Sequence, residues 1–120
     1  MTKNLFRNKH SLEDRIKEST RIKEKYPDKV PIIVTKSKSA QKNLVTIDRN
    51  KFLAPEDLTI GQFLTVIRKR IKIAEAESIF LFIDDNTMPP SSSSLTMVYN
   101  EHKNEDGFLY ITYCSENVFG

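Results

Sequence analysis

The stretch TIGQFLTVIRKRIKI (59–73) carries the most constraining pattern in the chain. Ile60, Phe63, Leu64, Ile67 and Ile71 recur at spacings of three and four, which gives a helix one apolar face. Thr59 with Gln62 forms a capping box at its start. Arg68, Lys69, Arg70 and Lys72 gather at its end, where cations complement the helix dipole. A helix apolar on one side must lie against something apolar. The runs around it supply that partner: VPIIVT (30–35), RNKFLA (49–54), IFLFI (79–83) and FLYITY (108–113) all read as strands. The class is therefore α+β, a sheet with its main helix packed on one face.

The local signals fill in the order. Ser11 and Asp14 mark a helix start, and Leu12, Ile16, Ser19, Ile22 and Tyr26 then share one face before Pro27 closes it. The first two strands form a hairpin, the main helix crosses over, and the remaining strands pair with the first. Pro31 marks either an edge strand or a strand start. IFLFI, wholly apolar, reads as a strand in the middle of the sheet. Residues 36–47 are polar and rich in Lys and Ser, and read mostly as loop. MPPSSSSL is a turn whose serines offer helix caps, followed by a short helix with Leu95, Val98, Tyr99 and His102 along one side. No repeat is visible, and no linker splits the chain.

Bulk properties narrow the function. The 120 residues suffice for one core, with 38% apolar and 29% charged content. The lone cysteine, Cys114, excludes an internal disulfide and fits a reducing compartment. MTKNLFRNKH has no apolar segment of a secretory signal, and the longest apolar run, Ile79–Ile83, falls far short of the roughly 20 residues that span a bilayer. Thr2 is no myristoylation acceptor, and Cys114 stands too far from Gly120 for prenylation. Charge is uneven. Residues 1–51 hold 14 Lys and Arg against 6 Asp and Glu, a net of +8, and residues 52–120 hold 5 against 10, a net of −5; together these make the overall +3. A basic half favours an acidic partner: nucleic acid, acidic peptide or anionic surface.

Longer blocks carry a family resemblance. KYPDKVPIIV (25–34), KFLAPEDLTIGQFLTVIRKRI (51–71), MPP (88–90), YNEHKNEDGFLYITY (99–113) and the final Phe119–Gly120 resemble the autophagy ubiquitin-like modifiers, the family of GABA-receptor-associated protein and microtubule-associated light chain 3. The match covers essentially the whole chain. It implies a β-grasp, ubiquitin-like, four-stranded mixed sheet with a main crossover helix and additional N-terminal helices. The parts would be an N-terminal helical extension (1–26), the ubiquitin-like core (27–113) and a flexible C-terminal tail (114–120).

The resemblance also gives the last residue a role. It implies that the Gly120 carboxyl is joined to the amine of phosphatidylethanolamine, after passing through an activating and a conjugating enzyme. With no Cβ, glycine lets the backbone enter a narrow channel and leaves the carboxyl unhindered. Relatives are commonly made with residues beyond this glycine, removed by a processing and deconjugating cysteine protease; the chain as written corresponds to the trimmed form or to one needing no trimming.

Family members recognise acidic peptides with an aromatic residue followed, three positions on, by Leu, Ile or Val. Such a peptide adds to a sheet edge through main-chain hydrogen bonds, and its positions i and i+3 face opposite ways. Two pockets are then needed, one on each side of strand 49–54. By resemblance, Glu18, Ile22, Pro31, Ile33, Lys51, Leu53 and Phe108 line the aromatic pocket, and Phe52, Ala54, Pro55, Leu58, Phe63 and Val66 line the aliphatic one. Lys29, Arg49 and Arg70, with Lys51, would meet the acidic neighbours. Ala54 stands where valine is more usual, which makes the second pocket roomier. The 36–45 loop is about two residues longer than in relatives.

Taken alone, these residues have plainer readings: Phe63 and Ile67 as core, Arg68–Lys72 as a solvated helix end, Lys51 as an edge-protecting charge, Ser91–Ser94 as turn and cap. Three other functions compete. Cys114 with His10 or His102 would make a nucleophile and base, but no third orienting group is evident. The basic half suits RNA, yet Phe108, Tyr110 and Tyr113 sit among apolar neighbours, as core residues do. A ubiquitin-like adaptor that is never lipidated, bound to microtubules or trafficking partners, keeps the fold and drops the lipid. The reading taken forward is a non-enzymatic modifier needing no cofactor or metal and binding no nucleic acid. It would be cytoplasmic, would move to autophagosomes and other cytoplasmic vesicles once lipidated, and would there recruit cargo receptors and support membrane growth.

Overall fold

Ser11 Oγ accepts a hydrogen bond from the Asp14 amide and so caps the helix that follows. That helix, α2 (Leu12–Lys25), comes after a five-residue α1 (Leu5–Lys9) and precedes β1 (Lys29–Lys36), β2 (Lys51–Pro55), α3 (Ile60–Ile71), β3 (Phe80–Ile83), α4 (Leu95–His102) and β4 (Leu109–Cys114). The computed structural model describes residues 5–38, 40, 44–73 and 77–115. The capping box of α3 is present as expected, with Thr59 and Gln62 bonded reciprocally.

The four strands form one mixed sheet in the order β2-β1-β4-β3, the β-grasp arrangement that the resemblance implies. β1 is antiparallel to β2 and parallel to β4, while β3 is antiparallel to β4. Side chains alternate across it. Val30, Ile32 and Val34 join Leu109, Ile111 and Tyr113 in the main core with Ile60, Phe63, Ile67 and Ile71 of α3. Ile33 and Tyr110, on the opposite face, form a second cluster with Ile22 and Phe108, and Phe6 of α1 packs against it. The sheet thus lies between α3 on one side and the N-terminal helices on the other.

Several expectations need correcting. The remaining strands do not both pair with β1: β3 pairs with β4 alone and forms the second edge. Its apolar run reflects cover on both faces, since Leu81 and Ile83 enter the main core and Phe82 is buried too. Pro31 lies in a central strand, as a strand-start residue. The Val34 amide donates to the Asn50 carbonyl, so even-numbered amides of β1 face β2 and Pro31 nitrogen faces β4. Pairing with β4 begins only at Ile32, so proline costs no ladder bond.

The 36–47 stretch is less polar in its role than in its composition. Leu44 and Ile47 are buried in the main core. Tyr113 hydroxyl donates to the Val45 carbonyl and accepts from the Ile47 amide, which holds this segment down. On α2 only Ser19 and Ile22 are buried, while Leu12, Ile16 and Tyr26 remain exposed. His102 is exposed as well, beyond the buried face of α4.

A polar network fastens α2 to the turn before β4. Ser19 Oγ donates to the Asp106 carbonyl, and Arg15 pairs with the Asp106 carboxylate at 2.7 Å. The same carboxylate accepts from the Tyr110 hydroxyl and the Phe108 amide. Burial and the neighbouring Asp106 push the Tyr110 phenol well above its ordinary pKa, so it stays a donor.

Candidate functional site

β2 lies at an edge of the sheet. Its register on β1 pairs Ile32 with Phe52 and Ile33 with Lys51. Because Val34 and Asn50 form a hydrogen-bonded pair, alternation turns the backbone groups of Phe52 and Ala54 inward to β1. Those of Lys51 and Leu53 point outward. Two residues therefore offer N–H and C=O groups at the spacing that an added strand requires.

The side chains divide the same way. Lys51 reaches toward α2, where its Nζ donates to Glu18 at 2.5 Å, and Arg21 donates to the other Glu18 oxygen at 2.9 Å. The hydrogen bond from Lys51, seconded by Arg21, holds the Glu18 carboxyl below its ordinary pKa. Glu18, Ile22, Lys51 and Leu53 line an open groove of about 1730 Å³. Leu53 is 39% exposed. Pro31, Ile33 and Phe108, expected beside them, are buried, and Ile33 and Phe108 form an apolar cluster with Ile22. Phe6 covers that cluster, its ring edge-on to Phe108 with centroids 5.2 Å apart.

On the α3 side the Phe52 ring meets Phe63 nearly at right angles, centroids 5.7 Å apart. Phe52 and Leu58, both half-buried, pack on the cluster that contains Ala54 and Phe63. Phe63 is core. Pro55 and Val66 are exposed. The structure thus brings Phe52, Ala54, Leu58 and Phe63 together, and the Pro55 carbonyl accepts a hydrogen bond from the Leu58 amide at 3.2 Å.

The expected cations differ in placement. Arg70 lies over the Phe52 ring at 5.9 Å, with its Nε 3.9 Å from Asp48. Arg49 is exposed, and both arginines line the groove. Lys29 stands opposite Pro55 at the other end of the strand pair and is absent from the groove lining.

Sequence patterns do not mark Arg7, which lines the groove, or Phe6, which lines a smaller crevice beside Lys51. Arg7 of α1 pairs with Asp84 at 2.7 Å and stacks over Tyr110 at 4.2 Å. Phe6 beside it was given no role. A five-residue helix is too short to show periodicity, so only an isolated aromatic next to an arginine marked the place.

Cys114 is 1% exposed at the end of β4, and a thiol so buried meets no substrate. Among the described residues no helix is long and apolar enough to cross a membrane. Gly120 lies outside the described residues.

Comparison with known proteins agrees along the whole chain. The family model described as "Autophagy protein Atg8 ubiquitin like" matches residues 14–120. Autophagy-related protein 8a of Arabidopsis thaliana is 50% identical over 120 residues, covering 100% of this chain and 96% of its own length. Autophagy-related protein 8 of Schizosaccharomyces pombe is 50% identical over 115 residues, 96% of this chain and 93% of its own. The crystal structure of Trypanosoma brucei ATG8 superposes with a TM-score of 0.89 at 37% identity, covering 99% of this chain and 100% of that one. The chain belongs to the Atg8 family of autophagy ubiquitin-like proteins, whose members act as modifiers and adaptors and not as enzymes.

Proposed function

We propose that this protein is conjugated through the Gly120 carboxyl to phosphatidylethanolamine, and that on the autophagosomal membrane it recruits receptors through the outer edge of β2. The observation that carries the recruiting half is the outward backbone of Lys51 and Leu53 between two apolar surfaces. An acidic peptide in extended form adds as a fifth strand, its aromatic toward Glu18, Ile22, Lys51 and Leu53. Its aliphatic residue, three positions on, falls on the other side against Phe52 and Phe63. Arg49, Arg70 and Lys51 meet its carboxylates. Single contacts of this kind are modest, and many tethered copies on one membrane raise their effective concentration.

The conjugating half rests on family membership and on the chemistry of an unhindered terminal glycine. Its partners are the activating and conjugating enzymes and a cysteine protease, with N-terminal extension, core and tail acting as the three working parts. Incubation with those enzymes, ATP and phosphatidylethanolamine vesicles, read by intact mass, tests it. A mass gain equal to the lipid minus water, absent when Gly120 is deleted, supports conjugation. An unchanged mass leaves the adaptor that binds microtubules or trafficking partners without lipid.

A further inference from the structure

Helix α1 holds a feature that the reading above does not use. Phe6 is half-buried against the cluster of Ile22, Ile33, Phe108 and Tyr110, and three of those four residues belong to the aromatic pocket inferred above. Phe108 beneath it has no exposed surface. A crevice of about 360 Å³ separates Phe6 from Lys51. Arg7, the next residue, is paired with the Asp84 carboxylate. One short helix thus places an aromatic ring on the pocket floor and a cation on a carboxylate.

We propose that α1 is a built-in competitor of the ligand: Phe6 occupies the deep part of the aromatic pocket and the Arg7–Asp84 pair latches it there. This rests on the peptide-binding reading of β2. An acidic aromatic peptide replaces both contacts in kind. Its ring takes the place of Phe6 on Phe108, and one of its carboxylates takes Arg7 from Asp84. Apparent affinity is then lowered by the fraction of molecules in which α1 is seated. Shallow ligands that do not reach Phe108 escape this competition, so α1 also sets selectivity.

The test measures binding of a fluorescent acidic peptide carrying Trp and, three residues later, Leu. It compares the full chain with Phe6→Ala and Asp84→Asn, alongside thermal melts of each. Phe6→Ala binds at least about threefold tighter than the parent, and Asp84→Asn about twofold tighter, as the seated fraction falls. Asp84→Asn leaves the apolar contacts intact and decides the matter if Phe6→Ala melts early. Parent-like or weaker binding by both variants overturns the competitor role and leaves the peptide site standing. No binding by parent or variants overturns both.

Discussion

Arg15 and Asp106 are 91 positions apart in sequence and 2.7 Å apart in space, with the Asp106 side chain wholly buried. This pair fixes the N-terminal helices to the turn that carries Phe108 and to β4, which carries Tyr110. It therefore fixes one wall of the groove. Removing the carboxylate strands Arg15, the Tyr110 hydroxyl and the Phe108 amide together. Asp106→Ala is expected to lower unfolding free energy by about 3–5 kcal/mol in urea titration. Asp106→Asn keeps an acceptor and costs less.

Gly107 follows at φ +90, and a Cβ there would stand 2.4 Å from Ser19 Oγ. Backbone strain and collision act in the same direction. Gly107→Ala should cost roughly 2 kcal/mol or more. Ser19→Ala removes the colliding oxygen, so the double variant is expected to lose less than the sum of the two singles.

Glu18 makes a pH-dependent contribution whose sign follows from its lowered pKa. The folded state favours the carboxylate, so the contribution is present above the ordinary glutamate range. It disappears as pH falls through the lower folded value. With the side chain 25% exposed, the gain is below about 1 kcal/mol. Glu18→Gln should therefore differ from the parent in unfolding free energy at pH 7. The difference should shrink toward zero well below pH 4.5, the ordinary value for the group.

Leu53 and Phe52 separate binding from folding. Leu53 is 39% exposed and outside both core clusters. Leu53→Ala should shift stability by less than about 0.5 kcal/mol. It should weaken an acidic Trp-x-x-Leu peptide about tenfold by fluorescence anisotropy. Phe52→Ala also loses the perpendicular contact with Phe63 and should cost both stability and affinity.

Much of this arrangement is legible from sequence because local signals and burial agree. The capping box at Thr59–Gln62 and the stripe Phe63–Ile67–Ile71 place α3 without tertiary information. The alternation of Lys51, Phe52 and Leu53 divides the two sides of β2 correctly. Strand order is different in kind. IFLFI is apolar because both of its faces are covered, and hydrophobicity does not distinguish a covered edge from a central strand. Leu44 and Ile47 were hidden in a polar stretch, since isolated apolar residues carry no period. Phe6 and Arg7 gain their meaning only from Phe108 and Asp84, about a hundred and 77 positions away, a relation that no local pattern encodes.

The central claim is that the open edge of β2 receives a strand, and amide hydrogen exchange reads that edge residue by residue. The Phe52 and Ala54 amides already face β1, whereas those of Lys51 and Leu53 face outward. Saturation with the acidic Trp-x-x-Leu peptide should slow exchange at Lys51 and Leu53 by about tenfold or more, with little change at Phe52 and Ala54. Tight binding that leaves Lys51 and Leu53 exchanging as fast as before would contradict the account.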